Sequence, residues 1–282
     1  MSRPPTFVPP PCSRARVLHT ARGDFAVLDA SPRTAPRGTA LLLPGFTGSK
    51  EDFIAMLEPL ADAGFRAVAV DGRGQYQTGG TDRQETYAQD ELARDVLAQT
   101  AALGLGDGAL DLLGHSLGGL IARAAAILDP APFRSLTLMS SGPGLVVESQ
   151  RAKLKILGDA LATMSMDQVW GAMRALDPPA EAEADGGDDL RRRWMGHRPA
   201  QLIATGRQLA TEPDRVAEVA ATGLPVHVVS GERDDVWPVP ELDAMASRLG
   251  AHRTRIEGAE HSPNTDRPGP TAAALVSFWE SL

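Results

Sequence analysis

Cysteine is almost absent: Cys12 is the only one in 282 residues. A single thiol excludes an internal disulfide and a thiolate metal cluster. It stands beside Pro9, Pro10 and Pro11, in an extended arm that suits a nucleophile poorly. Long apolar runs are missing too. No stretch approaches the roughly 18 residues of a membrane span, and the opening "MSRPPTFVPPPCSRAR" lacks the continuous apolar segment of a secretory leader. The expectation is a cytoplasmic protein with no membrane span. Basic runs are short: only "RRRW" (191 to 194) stands out, and it reads as a solvated helix face. With a net charge of −8, nucleic acid and anionic membranes are poor partners on electrostatic grounds. Neither His-Glu-x-x-His nor Cys-x-x-Cys occurs, so the sequence indicates no metal and no cofactor. The partner to expect is a small-molecule substrate.

What is present is alternation. A hydrophobic fraction of 43% over this length can bury one large core. Residues 14 to 30 read as two strands around a Gly23-Asp24 turn. Apolar runs at 39 to 43, 66 to 71, 109 to 115, 135 to 140, 224 to 231 and 252 to 258 read as further strands. Helical spacing covers 50 to 63, 88 to 103, 117 to 128, 238 to 249 and 270 to 281. Several strands are apolar throughout, which calls for a mostly parallel sheet covered on both faces. The alternation breaks at Gly142-Pro143-Gly144, a candidate hinge, and resumes near Gly223. Between them only helices are expected, interrupted by an acidic loop at 178 to 189. This makes an α/β fold of eight strands with a helical cap after the sixth. The core is 1–143 and 224–282, and the cap is 144–223.

Ser116 lies in "GHSLG", between a strand and a helix. A sharp strand-to-helix turn strains the residue at its tip and requires small neighbours. It places the hydroxyl at the carboxyl end of the sheet, where open α/β sheets bind ligands. The Leu117 amide, at a helix N-terminus, favours negative charge there. A bare Gly-x-Ser-x-Gly is weakly specific in a chain with 28 glycines; the flanking strand and helix make it strong. A serine nucleophile needs a base. His261, in "GAEHSPN" beyond the last strand, is at the right end of the sheet, whereas His115 beside the serine reads as a packing residue. The base needs an acid to fix its tautomer, and Asp234 and Asp235 both follow a strand. The Gly-x-Gly-x-x-Ala stretch at 104 to 109 follows a helix and precedes a strand, the wrong order for a dinucleotide site.

The order Ser116, Asp, His261, with helices inserted after the sixth strand, resembles the α/β-hydrolase fold superfamily, in its serine-nucleophile branch with a helical cap. The resemblance extends over nearly the whole chain. It implies that the acid stands in a Gly-x-x-Asp turn. Gly231-Glu232-Arg233-Asp234 fits, with Asp235 as the second choice. It implies an oxyanion hole from the backbone N–H groups of Phe46 and Leu117, although Pro44-Gly45-Phe46 stands where a His-Gly pair is common. The implied reaction is hydrolysis of a carboxylic ester through an acyl-serine. A thioesterase or a C–C bond hydrolase or perhydrolase on the same triad is the alternative, and a non-catalytic small-molecule binder is the alternative of another class. In the cap, Met164, Trp170, Met173 and Trp194 are expected to line an apolar substrate pocket. The loop "DGRGQYQTGG" (71 to 80) is expected to border it.

Overall fold

The structure is a computed structural model that describes residues 2–176 and 187–282. Of the acidic stretch 178 to 189, residues 178 to 186 lie outside the described residues. Eight strands form one sheet in the order β1-β2-β4-β3-β5-β6-β7-β8. They are β1 (Ser13–Thr20), β2 (Gly23–Ala30), β3 (Gly38–Leu43), β4 (Phe65–Val70), β5 (Leu110–His115), β6 (Phe133–Met139), β7 (Val226–Gly231) and β8 (His252–Ile256). β1 pairs antiparallel with β2, and β2 with β4; every other pair is parallel. β5 is buried at every position, as a strand covered on both faces must be.

Helices cover both faces. Helices α1 (Ile54–Asp62) and α11 (Pro268–Glu280) pack on one side, around Leu57, Leu60, Leu275 and Trp279. Helices α2 (Gln89–Ala102), α3 (Leu117–Leu128) and α9 (Val239–Leu249) pack on the other, around Val96, Leu120 and Met245. Between β6 and β7 the described elements are all helical: α4 (Glu148–Thr163), α5 (Met166–Ala175), α6 (Gly187–Gly196), α7 (Pro199–Thr211) and α8 (Val216–Ala221). This is the helical cap after the sixth strand. A short helix α10 (Pro263–Asp266), not expected from the sequence, follows the loop that carries His261. No helix among the described residues is long and apolar enough to cross a membrane.

Two local readings need correction. The first hairpin turns at Ala21 and Arg22, because Thr20 pairs with Gly23 and Asp24 already belongs to β2. Gly23 adopts φ 122°, which an L side chain rarely does, and Arg22 is anchored by Asp95 and Glu91 of α2. Gly142-Pro143-Gly144, read as a hinge, is a packed joint in this structure: all three are buried. Arg123 donates to the carbonyls of Gly142 and Pro143 and pairs with buried Glu212. Trp237 Nε1 donates to the Gly144 carbonyl. So many buried bonds at one joint oppose rotation about it.

Candidate active site

Ser116 stands between β5 and α3, as the residue that caps the helix, with φ 54° and ψ −119°. A non-glycine residue at positive φ is strained and persists only where its surroundings enforce it. The neighbours do so by closeness. A Cβ on Gly114 would lie 2.1 Å from the Gly118 carbonyl oxygen, and one on Gly118 2.4 Å from that of Leu43. The turn therefore closes only with glycine at both positions. It presents the Ser116 hydroxyl toward His261, whose Nε2 stands 3.0 Å from Oγ. On the far side of the ring, Nδ1 is 3.0 Å from both carboxylate oxygens of Asp234. Three side chains distant in sequence thus form one hydrogen-bonded line.

The Asp234 side chain is fully buried, while His261 keeps 22% of its side chain exposed. Burial works against the Asp234 charge. The His261 ring and the N–H groups of Val236 and Trp237 outweigh it, and its carboxyl stays below the usual carboxylate range. Asp235, one residue on, accepts from Gln150 Nε2 of α4.

A family model described as the alpha/beta hydrolase fold matches residues 40–165, the segment that holds Phe46 and Ser116. Over that segment the chain is similar to the α/β-hydrolase fold superfamily. It is 29% identical over 165 residues to a pimeloyl-[acyl-carrier protein] methyl ester esterase of Aeromonas hydrophila, covering 56% of this chain and 65% of that one. It is 31% identical over 181 residues to a 2-succinyl-6-hydroxy-2,4-cyclohexadiene-1-carboxylate synthase of an Enterobacter species, covering 59% of this chain and 65% of that one. The match thus spans 65% of the length of each of these two relatives. A thermophilic esterase from Thermogutta terrifontis superposes with a TM-score of 0.76 at 20% identity, covering 95% of this chain and 98% of that one.

Within this α/β-hydrolase fold, the loop after β3 lies against the serine. A Cβ on Gly45 would sit 3.3 Å from Ser116 Cβ. The Gly45 carbonyl accepts from Gln75 Nε2 at 2.9 Å and from the Gly48 N–H. Because the peptide is planar, fixing that carbonyl also fixes the direction of the Phe46 N–H. Leu117 is the first residue of α3, so its N–H has no carbonyl one turn back within the helix. Gln75 is a support that the sequence did not reveal. Its loop (71 to 80) does not line the cavity over Ser116 and acts from behind.

His115 is a second hidden support. Its ring is buried, and its Nε2 lies 2.9 Å from the His261 main-chain carbonyl. A carbonyl only accepts, so Nε2 carries the proton and Nδ1 is left bare and without a partner. Burial, followed by the neighbouring His261 charge, pushes the His115 pKa down to about 4 and keeps the ring neutral. In sequence it read as a packing residue; in the fold it ties the loop bearing His261 to the serine turn.

The cavity over Ser116 measures about 680 Å³. Phe46, Val146, Leu154, Leu209 and Val236 give it apolar walls, and Arg3, Gln150, Lys153, Asp235 and Glu260 are among its polar ones. The four cap residues expected there do not line it. Trp170 and Trp194 are buried in the cap's own core with Leu161, Val169, Leu190 and Leu202, and Met173 packs against that core. Trp194 Nε1 donates to the Met166 carbonyl. Met164 lies at the end of α4 and is 39% exposed. A cap built of thin helices needs its largest apolar side chains for itself. One side of α4, Leu209 of α7, the N-terminal arm and the loops of the sheet line the pocket instead.

Proposed function

We propose that this chain is a serine hydrolase that cleaves a carboxylic ester with an apolar acyl or ring portion. The observation that carries the reading is the 3.0 Å contact between Ser116 Oγ and His261 Nε2, with Asp234 behind the ring. Ser116 Oγ attacks the carbonyl carbon as His261 Nε2 takes its proton. Asp234 accepts the Nδ1 hydrogen, holds the tautomer and stabilises the imidazolium. The N–H groups of Phe46 and Leu117 hold the oxyanion, a contribution that typically amounts to several kcal/mol. His261 then protonates the leaving alkoxide, leaving an acyl-serine. Water attacks that ester, gives its proton to His261, and releases the acid and Ser116. Helices α4 and α7 of the cap shield the serine, and the apolar wall formed by Phe46, Leu154 and Leu209 receives the substrate's apolar part.

The relative named as an esterase supports this reading. The relative named as a 2-succinyl-6-hydroxy-2,4-cyclohexadiene-1-carboxylate synthase keeps a reaction other than ester hydrolysis as the second reading. Ser116→Ala is expected to lower kcat on p-nitrophenyl esters by about 10³-fold or more. A fluorophosphonate should label the native chain at Ser116. No labelling of the folded chain would favour a non-catalytic binder, and a panel of esters, thioesters and C–C substrates separates the remaining chemistries.

A further inference from the structure

The basic run at 191 to 194 reads as a solvated face, and for two of its arginines it is one. Arg191 pairs with Asp167 and Arg192 with Asp189, all well exposed. Arg193 does the opposite. Its side chain and that of Asp52 are both fully buried, with Nη1 2.7 Å from Asp52 Oδ1. Its other terminal nitrogen, Nη2, donates to the Ser2 carbonyl, and its guanidinium lies 6.0 Å from the centre of the Phe7 ring. Arg193 belongs to the cap, Asp52 to a short 3-10 helix (Lys50–Phe53) between β3 and α1, and Ser2 to the N-terminal arm. One guanidinium joins three segments of chain.

Asp52 carries the contact inward. Its second oxygen, Oδ2, accepts from the Ser49 N–H and presses on Gly48, where a Cβ would come within 2.2 Å of it. Its carbonyl accepts from Asn264 Nδ2, three residues beyond His261. The neutral His197 ring lies between the Arg193 and Gly48 carbonyls, 2.9 Å from one at Nδ1 and 3.2 Å from the other at Nε2, and has a single N–H to donate to one of them. Gly48 in turn donates its N–H to the Gly45 carbonyl, which shares its peptide with the Phe46 N–H.

We propose that Arg193 is a positioning residue for the reaction. Through Asp52 it clamps the loop that aims the Phe46 N–H and braces the loop that carries His261. The same contact seats the cap, and its second branch holds the arm whose Ser2 and Arg3 line the cavity. The charge pair is more than needed for attachment, since apolar side chains can hold a cap to a core. A fork with two fixed directions sets an orientation as well.

This proposal rests on the ester-hydrolase reading, and the test separates the two. Arg193→Met alone strands a buried carboxylate and can unfold the chain for that reason. The double variant Arg193→Met/Asp52→Asn removes both charges and leaves an oxygen to accept from Ser49. Arg193→Lys keeps the charge and loses the fork. In both, kcat on p-nitrophenyl acetate should fall 10-fold or more with KM within threefold, at a Tm within a few degrees of the native chain. Hydrogen exchange should speed up at residues 45 to 53. Arg192→Met, on the same helix, should match the native chain in every measurement. A folded double variant or Arg193→Lys chain with native kcat and native exchange would overturn the proposal. If the native chain neither turns over the ester nor takes a fluorophosphonate, the hydrolase reading fails, and exchange at 45 to 53 alone decides on the clamp.

Discussion

Asp234 and Asp235 stand side by side in the chain, yet their surroundings differ. Asp234 is enclosed, accepts from two backbone N–H groups and faces His261; Asp235 lines the cavity and bonds Gln150. Asp234→Asn offers His261 the wrong partner and should lower kcat by about 10³- to 10⁴-fold with the fold intact. Asp235→Asn should stay within about threefold of the native kcat, because its amide oxygen can still accept from Gln150. Equal losses in a kcat comparison would remove Asp234 from its assigned role. The Gly-x-x-Asp spacing distinguished the two acids in the sequence. Nothing there distinguished Gln75 or His115. Their partners are main-chain carbonyls at Gly45 and His261, and a carbonyl has no letter in the sequence.

The strand–turn–helix element around Ser116 has no slack. A Cβ on Gly118 would meet the Leu43 and Pro44 carbonyl oxygens at 2.4 and 2.6 Å, and both belong to backbone that cannot swing aside. Gly118→Ala should cost about 3 kcal/mol of stability, measurable as a lower urea midpoint. A variant of native stability with native turnover would show that the turn can relax. At this scale the sequence was informative where one rule dominated. The run "LIARAAAIL" after the serine gave the helix through its period, and unbroken apolar stretches gave the buried strands. It misled where two roles compete for one residue type. Large apolar side chains at helical spacing serve a pocket or a core equally well. In the cap, Trp170 and Trp194 serve the core. Arg193 was misread for the converse reason, as a charge in a charged run that is nonetheless buried.

Taken whole, the molecule buries three histidines in neutral form. Burial is the main cause for each: His115 and His197 are pushed down to about 4, and His227 to about 3. The unfolded chain takes up these protons near pH 6.5, before the folded chain can. Stability from this source is therefore complete above about pH 6.5 and is lost as pH falls toward 4. Asp71 opposes it. Burial, against the pull of Lys50, raises its carboxyl to about 6, so below that the fold holds a proton that the unfolded chain has released. The histidines prevail by number, and unfolding free energy should drop by about 4 kcal/mol from pH 7 to pH 5. Urea titrations at the two pH values measure it. His227→Gln should flatten the drop by about 2 kcal/mol, and identical midpoints in the native chain would contradict the account.

Ser2 and Arg3 of the N-terminal arm line the reaction cavity, whereas Leu282 is 49% exposed. Because Ser2 and Arg3 line that cavity, changes in the arm are expected to register in KM. Comparing KM for p-nitrophenyl acetate between amino-terminally and carboxyl-terminally tagged chains measures how far the reaction cavity feels its own arm.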